Sequence, residues 1–347
     1  MGTNPKVLII GCGGIGGTIA THLAAAKTCD LTVLSTNIDV VAAVQKHGFR
    51  LSGFGPSIEA QGTIVSEIPD DTFDFILLAT QPPQVEDAAR NAVHTLAENG
   101  AMVVLQNGLC EDRVAKICGS DRTLGGIVTF GGSTDGPGEF RRTSRGGILL
   151  GRMDGKDDPR IDVLVKILDP VADIGQTHNL LGARFSKLAM NCSVSSLGTV
   201  AGLRLGEALS NPVARNLALG IMREAVAVSR AEAVTLERLN GTFDLNWLAD
   251  PDAQTKGVGH WARHLVVMGA GIKYRKLRSS MLRAIEKGRP PAIEFLNGEI
   301  VTRGTEHGIP VPVNQAVRDL VHQIANGETS PSPSHFDAIW ENLGQGE

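Results

Sequence analysis

Apolar runs of strand length and stretches with helical spacing alternate through the first half of the chain. Lys6 to Ile10 reads as a strand, Gly17 to Ala26 as a helix, Leu31 to Leu34 as a strand and Val40 to Lys46 as a helix. Further buried strands are expected at Phe73 to Thr80, Ala101 to Leu105, Thr123 to Phe130 and Gly147 to Leu150, with a helical stretch at Gln84 to Leu96. Such alternation predicts an α/β fold, a parallel sheet covered by helices. Strand signals fade near residue 175. From about Leu180 apolar residues recur at spacings of three and four, as in Pro212 to Ala233 and Ala292 to His307, which predicts a mainly α-helical second domain. The expected division is 1–180, 181–330 and a tail, 331–347, whose Phe336, Ile339, Trp340 and Leu343 form a short amphipathic piece that packs on its own protein. Asn240 to His260 reads as a surface loop, with a lid as the alternative.

One junction carries chemistry. In VLIIGCGGIGGTIATHLA, Gly11, Gly13 and Gly16 follow an apolar strand directly and open a helical pattern, the context a dinucleotide fingerprint requires. Gly11 permits the tight turn, Gly13 lets backbone approach a pyrophosphate, and Gly16 lets the helix lie close to the strand while its free N–H groups face the phosphates. The whole loop, with Cys12, Gly14 and Ile15, is therefore a candidate cofactor contact, Cys12 serving as a small filler and not as a nucleophile. These features define the first domain as Rossmann-type. An NAD site usually places a carboxylate about twenty residues beyond the loop. Here Ser35, Thr36 and Asn37 stand there, neutral groups able to donate to a 2′-phosphate, so NADP(H) is preferred; Asp39 nearby keeps NAD(H) open.

Composition narrows the partners. With a formal net charge of -4 and no Lys/Arg-rich run evident, the chain offers no basic field for nucleic acid. Five cysteines, odd in number and without a C-x-x-C pair, indicate neither a disulfide framework nor a zinc knuckle and fit a reducing compartment. The strand beginning at Val7 leaves no room for an export leader, and no later apolar run approaches a membrane span, so a cytoplasmic protein is expected. His260 and His264 are four apart but lack a third ligand; they read as surface or loop histidines, and no metal site is expected. Glu207 and Glu224 are read as solvated or capping residues.

The order of motifs resembles the ketopantoate reductase (2-dehydropantoate 2-reductase) family over nearly the whole chain. The resemblance rests on the glycine loop, on LQNG ending in Asn107 and Gly108, and on KLAMNCSVSSLGTVAG with Lys187 and Asn191. SSML at Ser279 to Leu282, EFLNG at Glu294 to Gly298 and HGIPVPVN at His307 to Asn314 complete it. It implies a Rossmann domain joined to a helical domain, with the substrate held in the cleft between them. It also implies reduction of ketopantoate to pantoate in pantothenate biosynthesis, Lys187 as general acid, and a homodimer formed through the helical domain. Asn107 and Asn191 would bind substrate, Asn107 also the cofactor, and Ser280 the substrate carboxylate, with capping of the following helix as its other role. The chemistry has an independent rationale. Hydride arriving at a ketone carbon builds charge on oxygen, which a nearby ammonium stabilises and protonates. Residues 187 and 191, four apart, share one face of a helix.

Departures from the family pattern fall at ligand contacts. Ala284 and Ala292 replace an aspartate and a glutamate, Ser195 a second asparagine, Gln81 a lysine beside the cofactor, and Thr36 an arginine. Glu294 aligns with a later aspartate and is not the missing glutamate. These changes argue against ketopantoate as substrate more than against reductase chemistry. Two alternatives stay open: an NAD(P)-dependent 2-hydroxy acid dehydrogenase on the same fold, with Lys187 as base, and a non-catalytic NADP-binding regulator.

Overall fold

The computed structural model describes residues 4–239, 242–253 and 256–344. They form two compact units. The first runs to Gln106 and takes up again at Cys110–Leu180; the second comprises Asn107–Leu109 and the chain from Leu181 onward.

The first unit is built on an eight-stranded sheet. In chain order its strands are β1 (Lys6–Ile10), β2 (Asp30–Leu34), β5 (Thr63–Val65), β6 (Phe73–Leu78), β7 (Leu96–Val104), β8 (Thr123–Val128), β11 (Ile148–Gly151) and β12 (Ile174–Thr177). A smaller sheet takes β3 (Phe49–Gly53), β4 (Ile58–Ala60), β9 (Gly132–Gly136) and β10 (Glu139–Arg142). In space the large sheet runs β12-β11-β8-β7-β6-β1-β2-β5. All its pairings are parallel except β11 with β8. Covered on both faces, the central strands have no polar side to alternate with: Val7 to Ile10 and Phe75 to Leu78 are all buried. Helices α1 (Gly14–Ala26), α2 (Ile38–His47), α3 (Val85–Ala92), α4 (Glu111–Cys118) and α5 (Pro159–Leu168) belong to this unit.

The small sheet has no counterpart in the sequence reading. Its strands are short and half exposed, and what secures them is the glycine face of α1. A Cβ at Gly14 would stand 2.5 Å from the Ser133 nitrogen, and one at Gly17 would enter the Phe140 ring.

The second unit is helical: α6 (Leu180–Ala201, whose first residue still belongs to the first unit), α7 (Leu205–Ser210), α8 (Pro212–Ala231), α9 (Leu245–Leu248), α10 (Val258–Lys273), α11 (Ser280–Glu286), α12 (Asn297–His307), α13 (Pro312–Ala325) and α14 (His335–Asn342). The helix expected over Ala292 to His307 is broken: a 3-10 turn, Ala292–Phe295, precedes α12, and Leu296 between them has φ -120° and ψ -101°. The loop expected at 240–260 holds α9 and the start of α10, so His260 and His264 are helical and not loop residues; its positions 240–241 and 254–255 lie outside the described residues. Phe336 and Ile339 of α14 sit in this unit's core, and the Ser332 N–H reaches the Val200 carbonyl at 2.9 Å. Burying side chains of this size is worth roughly 2–3 kcal/mol each, enough to hold the tail down. Among the described residues no helix is long and apolar enough to cross a membrane.

Candidate active site

In the first unit the chain passes from β1 to β2 on one side and returns to β6 on the other, so the strand order reverses between β1 and β6. Ligands of open α/β sheets bind at such a switch point, beyond the carboxyl ends of the strands. The glycine loop lies there. Gly11 has φ +104°, a Cβ on it would sit 2.8 Å from Ala79 backbone, and the Ala79 N–H bonds the Ile10 carbonyl at 2.8 Å. A side chain on Gly16 would strike the Gly11 carbonyl, which is why the helix can start immediately after the strand. Gly13, by contrast, has open space where a Cβ would be. It is also the N-cap of α1, which has no side-chain cap and no acidic residue in its first turn, while Ile15 is half buried. A helix start with unclaimed N–H groups, a clear approach and no competing carboxylate fits a phosphate-bearing dinucleotide.

Burial pushes the Cys12 thiol up to about 12, so it holds its proton at neutral pH, as its reading as filler requires. Gly14 turns out to serve packing against β9 as well as the loop. Ser35 is buried just past β2, Thr36 is exposed, and Asn37 Oδ1 caps α2 by accepting from the Asp39 N–H at 3.0 Å. Gln81 is exposed beyond β6.

In the second unit α6 carries the other candidates. From residue 182 to 201 every position is buried except 187, 190, 191, 194 and 195. Lys187, Asn191 and Ser195, four apart, thus lie with Met190 and Val194 on the single stripe of an otherwise enclosed helix that keeps access to solvent. The sequence reading paired the first two and placed Ser195 one turn further on, as a candidate substrate contact in the position of the family's second asparagine.

Ser280 needs correction. The cap of α11 is its neighbour: Ser279 Oγ accepts from the Leu282 N–H at 3.3 Å and donates to the Ser195 carbonyl at 2.8 Å, which ties α11 to α6. Ser280 is the first residue of the helix proper and exposed. Asn107, also exposed, is followed by Gly108 at φ +93°, where a Cβ would stand 2.5 Å from the Phe295 carbonyl oxygen. The LQNG and EFLNG motifs therefore meet as backbone against backbone. Ala284 and Ala292 are half buried, and Glu294 pairs with Arg318 Nε at 2.7 Å and His322 Nε2 at 2.5 Å. Burial alone would raise the Glu294 pKa, but those two hydrogen bonds outweigh it and hold the carboxyl below its ordinary value. It is engaged in that cluster.

Two further motif residues are structural, and sequence reasoning did not find their role. Buried Asn297 donates from Nδ2 to Asn314 Oδ1 at 2.9 Å, and Asn314 Nδ2 donates to Glu224 Oε2 at 2.7 Å. Glu224 also accepts from the Val313 and Asn314 N–H groups, both at 2.8 Å, so it caps α13 from α8. Glu207 caps too, accepting from the Arg204 N–H at 3.0 Å. Burial raises the Glu224 carboxyl to about 7 against its hydrogen bonds. With the folded pKa above the unfolded one, the native state binds the extra proton, and this residue's contribution to stability falls as pH rises from about 4.5 to about 7. Relative to Glu224→Gln, the parent is expected to lose about 2 kcal/mol of unfolding free energy between pH 5 and pH 8 in urea titrations. Parallel pH profiles would contradict this.

A glycine turn at the switch point of a doubly wound sheet, followed by a helical unit with a lysine and asparagine stripe, defines a dinucleotide-binding oxidoreductase. Residues 7–155 match the family described as ketopantoate reductase PanE/ApbA, and residues 179–325 match its C-terminal part. The chain belongs to the ketopantoate reductase family. The 2-dehydropantoate 2-reductase of Archaeoglobus fulgidus is 26% identical over 326 residues, covering 93% of this chain and 98% of that protein. That of Mesorhizobium japonicum is 24% identical, over 92% and 98%. Among solved structures, the PanE/ApbA family ketopantoate reductase of Ralstonia eutropha JMP134 is similar with a TM-score of 0.78 at 23% identity, over 93% of this chain and 99% of that one. D-mandelate dehydrogenase, solved with NADH and anilino(oxo)acetate, reaches 0.78 at 19% identity with the same coverage. At such identities the solved structures show the fold alone. The chain is an oxidoreductase of the type that acts on CH–OH groups.

Proposed function

We propose that this protein is an NADPH-dependent reductase of a 2-oxo acid or related ketone, with its dinucleotide bound by residues 1–180 and its substrate by 181–330. The observation that carries the reading is the stripe on α6, where Lys187 and Asn191 keep solvent access on a helix that buries nearly everything else. When bound, the nicotinamide exchanges hydride with the carbon of the carbonyl or alcohol. Lys187 supports the growing oxyanion and hands it a proton; Asn191, Ser195, Asn107 and Ser280 orient the substrate through hydrogen bonds. The glycine loop and the free N–H groups of α1 hold the pyrophosphate, Asn107 and Gln81 reach the nicotinamide side, and Ser35 and Thr36 hold the adenosine ribose. Alanine at 284 and 292 favours a substrate other than ketopantoate, since neither can bond a polar group of it. Five free, buried cysteines suit a cytoplasmic setting.

The cofactor preference rests on Thr36, exposed after β2 with no carboxylate at its own position. The dissociation constant for NADPH is expected to be at least about tenfold below that for NADH, and Thr36→Asp to erase the difference by placing a like charge against the 2′-phosphate. Tighter binding of NADH by the parent would overturn the assignment. The NADH-bound D-mandelate dehydrogenase favours a second reading, an NAD-dependent 2-hydroxy acid dehydrogenase with Lys187 as base. A panel of 2-oxo acids with NADPH and NADH, and of 2-hydroxy acids with the oxidised forms, tests both. Turnover of an oxo acid with NADPH supports the proposal; binding without turnover of any compound overturns it in favour of a regulator.

A further inference from the structure

The stretch of chain from Ser279 to Phe295 is fastened at both ends to groups that the proposed reaction uses. At one end Ser279 Oγ donates to the Ser195 carbonyl at 2.8 Å and meets Thr199 Oγ1 at 2.8 Å, so α11 starts against the stripe of α6. At the other, a Cβ on Gly108 would stand 2.5 Å from the Phe295 carbonyl oxygen, so the stretch ends beside Asn107. Whatever it displays therefore lies between two groups proposed to contact the substrate.

What it displays is positive charge. Met281, Leu282 and Ile293 are buried and hold the stretch down, while Arg283, Lys287 and Arg289 are exposed. None of these three cations has an ion pair or a side-chain hydrogen bond among the described residues. The carboxylate in their midst, Glu286, pairs instead with Arg278. The chain just before adds Lys273, Arg275, Lys276 and Arg278, all exposed, in a protein whose formal net charge is -4. Apolar residues, serines and a glycine interleave these cations, so they do not stand out as a run in the sequence. A single exposed lysine or arginine is an ordinary solvated side chain. Seven of them beside a site, with one carboxylate among them, focus a field that favours an anion.

We infer, resting on the reductase reading, that the substrate is a 2-oxo acid whose far end carries a second anionic group, a carboxylate or a phosphate, and that Arg283 determines this specificity. Arg283 follows Ser280 by three residues and Ala284 follows it by four, so the three share one side of α11, the side turned away from buried Met281 and Leu282. Ser280 holds the carboxylate next to the ketone; the planar fork of Arg283 takes the second anion through two parallel N–H groups. Lys287 and Arg289 add charge without a fixed geometry. Alanine at 284 and 292 acts in the same sense, because a carboxylate at either place would repel the second anion and offset the field that draws it in.

Matched pairs of oxo acids test the inference with NADPH and the full chain: oxaloacetate against 2-oxobutyrate, 2-oxoglutarate against 2-oxopentanoate, 2-oxoadipate against 2-oxohexanoate, and phosphohydroxypyruvate against hydroxypyruvate. In at least one pair the dianion is expected to have kcat/KM at least about tenfold higher, and which pair does so tells carboxylate from phosphate. Arg283→Ala should bring that ratio to within about threefold of one, chiefly through KM, and Arg283→Lys should restore part of it. Raising NaCl from about 50 to about 500 mM should erode the ratio in the parent, which tests the charge even if a variant does not fold. Equal kcat/KM within every pair would overturn the inference while leaving the reductase reading in place; no turnover of any oxo acid would overturn both. So would two other results overturn the inference alone: an Arg283→Ala variant that loses activity equally on both members of the preferred pair, or one whose loss lies in the dissociation constant for NADPH, the cations then serving the cofactor's phosphates.

Discussion

Lys187→Ala is expected to lower turnover with NADPH and a competent oxo acid by about a hundredfold to ten-thousandfold, the range that positioned acid catalysis supplies. The dissociation constant for NADPH should move less than about threefold, since the glycine loop lies in the other unit of the chain. The physical reason is local. Position 187 is half buried on a helix whose neighbouring turns are enclosed, so truncation removes an ammonium without opening a core cavity, and melting should shift little. Steady-state kinetics beside cofactor titration separates the outcomes. A loss of cofactor affinity equal to the loss of turnover would assign Lys187 to binding and remove it as the acid.

The second large effect concerns two glycines three residues apart. Gly13 has φ -87° and ψ -164°, which any residue adopts, and space for a Cβ; Gly16 has neither clearance from the Gly11 carbonyl nor a flexible neighbour that could yield. Gly13→Asp should therefore fold at least as well as the parent, since aspartate at an N-cap satisfies a free N–H and complements the helix dipole. Dinucleotide affinity should nonetheless fall by about a hundredfold or more, because the carboxylate takes the phosphate's place and repels it. Gly16→Ala should instead cost stability first, by about 1–3 kcal/mol, through overpacking. Melting curves with and without NADPH distinguish them: the aspartate variant keeps its melting temperature but loses the cofactor-induced rise. If it retained that rise, the phosphates would bind somewhere other than this loop.

What could be read from the chain alone followed from where burial is two-sided. The central strands of the large sheet are apolar over most of their length, so β1, β2 and β6 appear in the sequence within a residue or two of their ends. The small sheet could not be seen, because its four strands are short and partly exposed and depend on contact between α1 and residues more than a hundred positions away, Gly14 with Gly132 and Gly17 with Phe140. Local propensity misled at the start of α10, where the glycines at 257 and 259 resemble a loop; further along the same helix Gly271, with Gly206, lets α7 and α10 approach closely. The spacing gave the cap of α11 to Ser280; Ser279 takes that place in the structure and packs against α6 through the Ser195 carbonyl. Glu224 was legible as a capping residue but not as the cap of α13, since its target lies some ninety residues on.

The most direct test of Lys187 as proton donor is chemical rescue. With saturating NADPH and an accepted oxo acid, Lys187→Ala is predicted to regain turnover as small primary amines are added, in proportion to their ammonium concentration. A variant that runs as fast as the parent whether or not an amine is present would contradict the account.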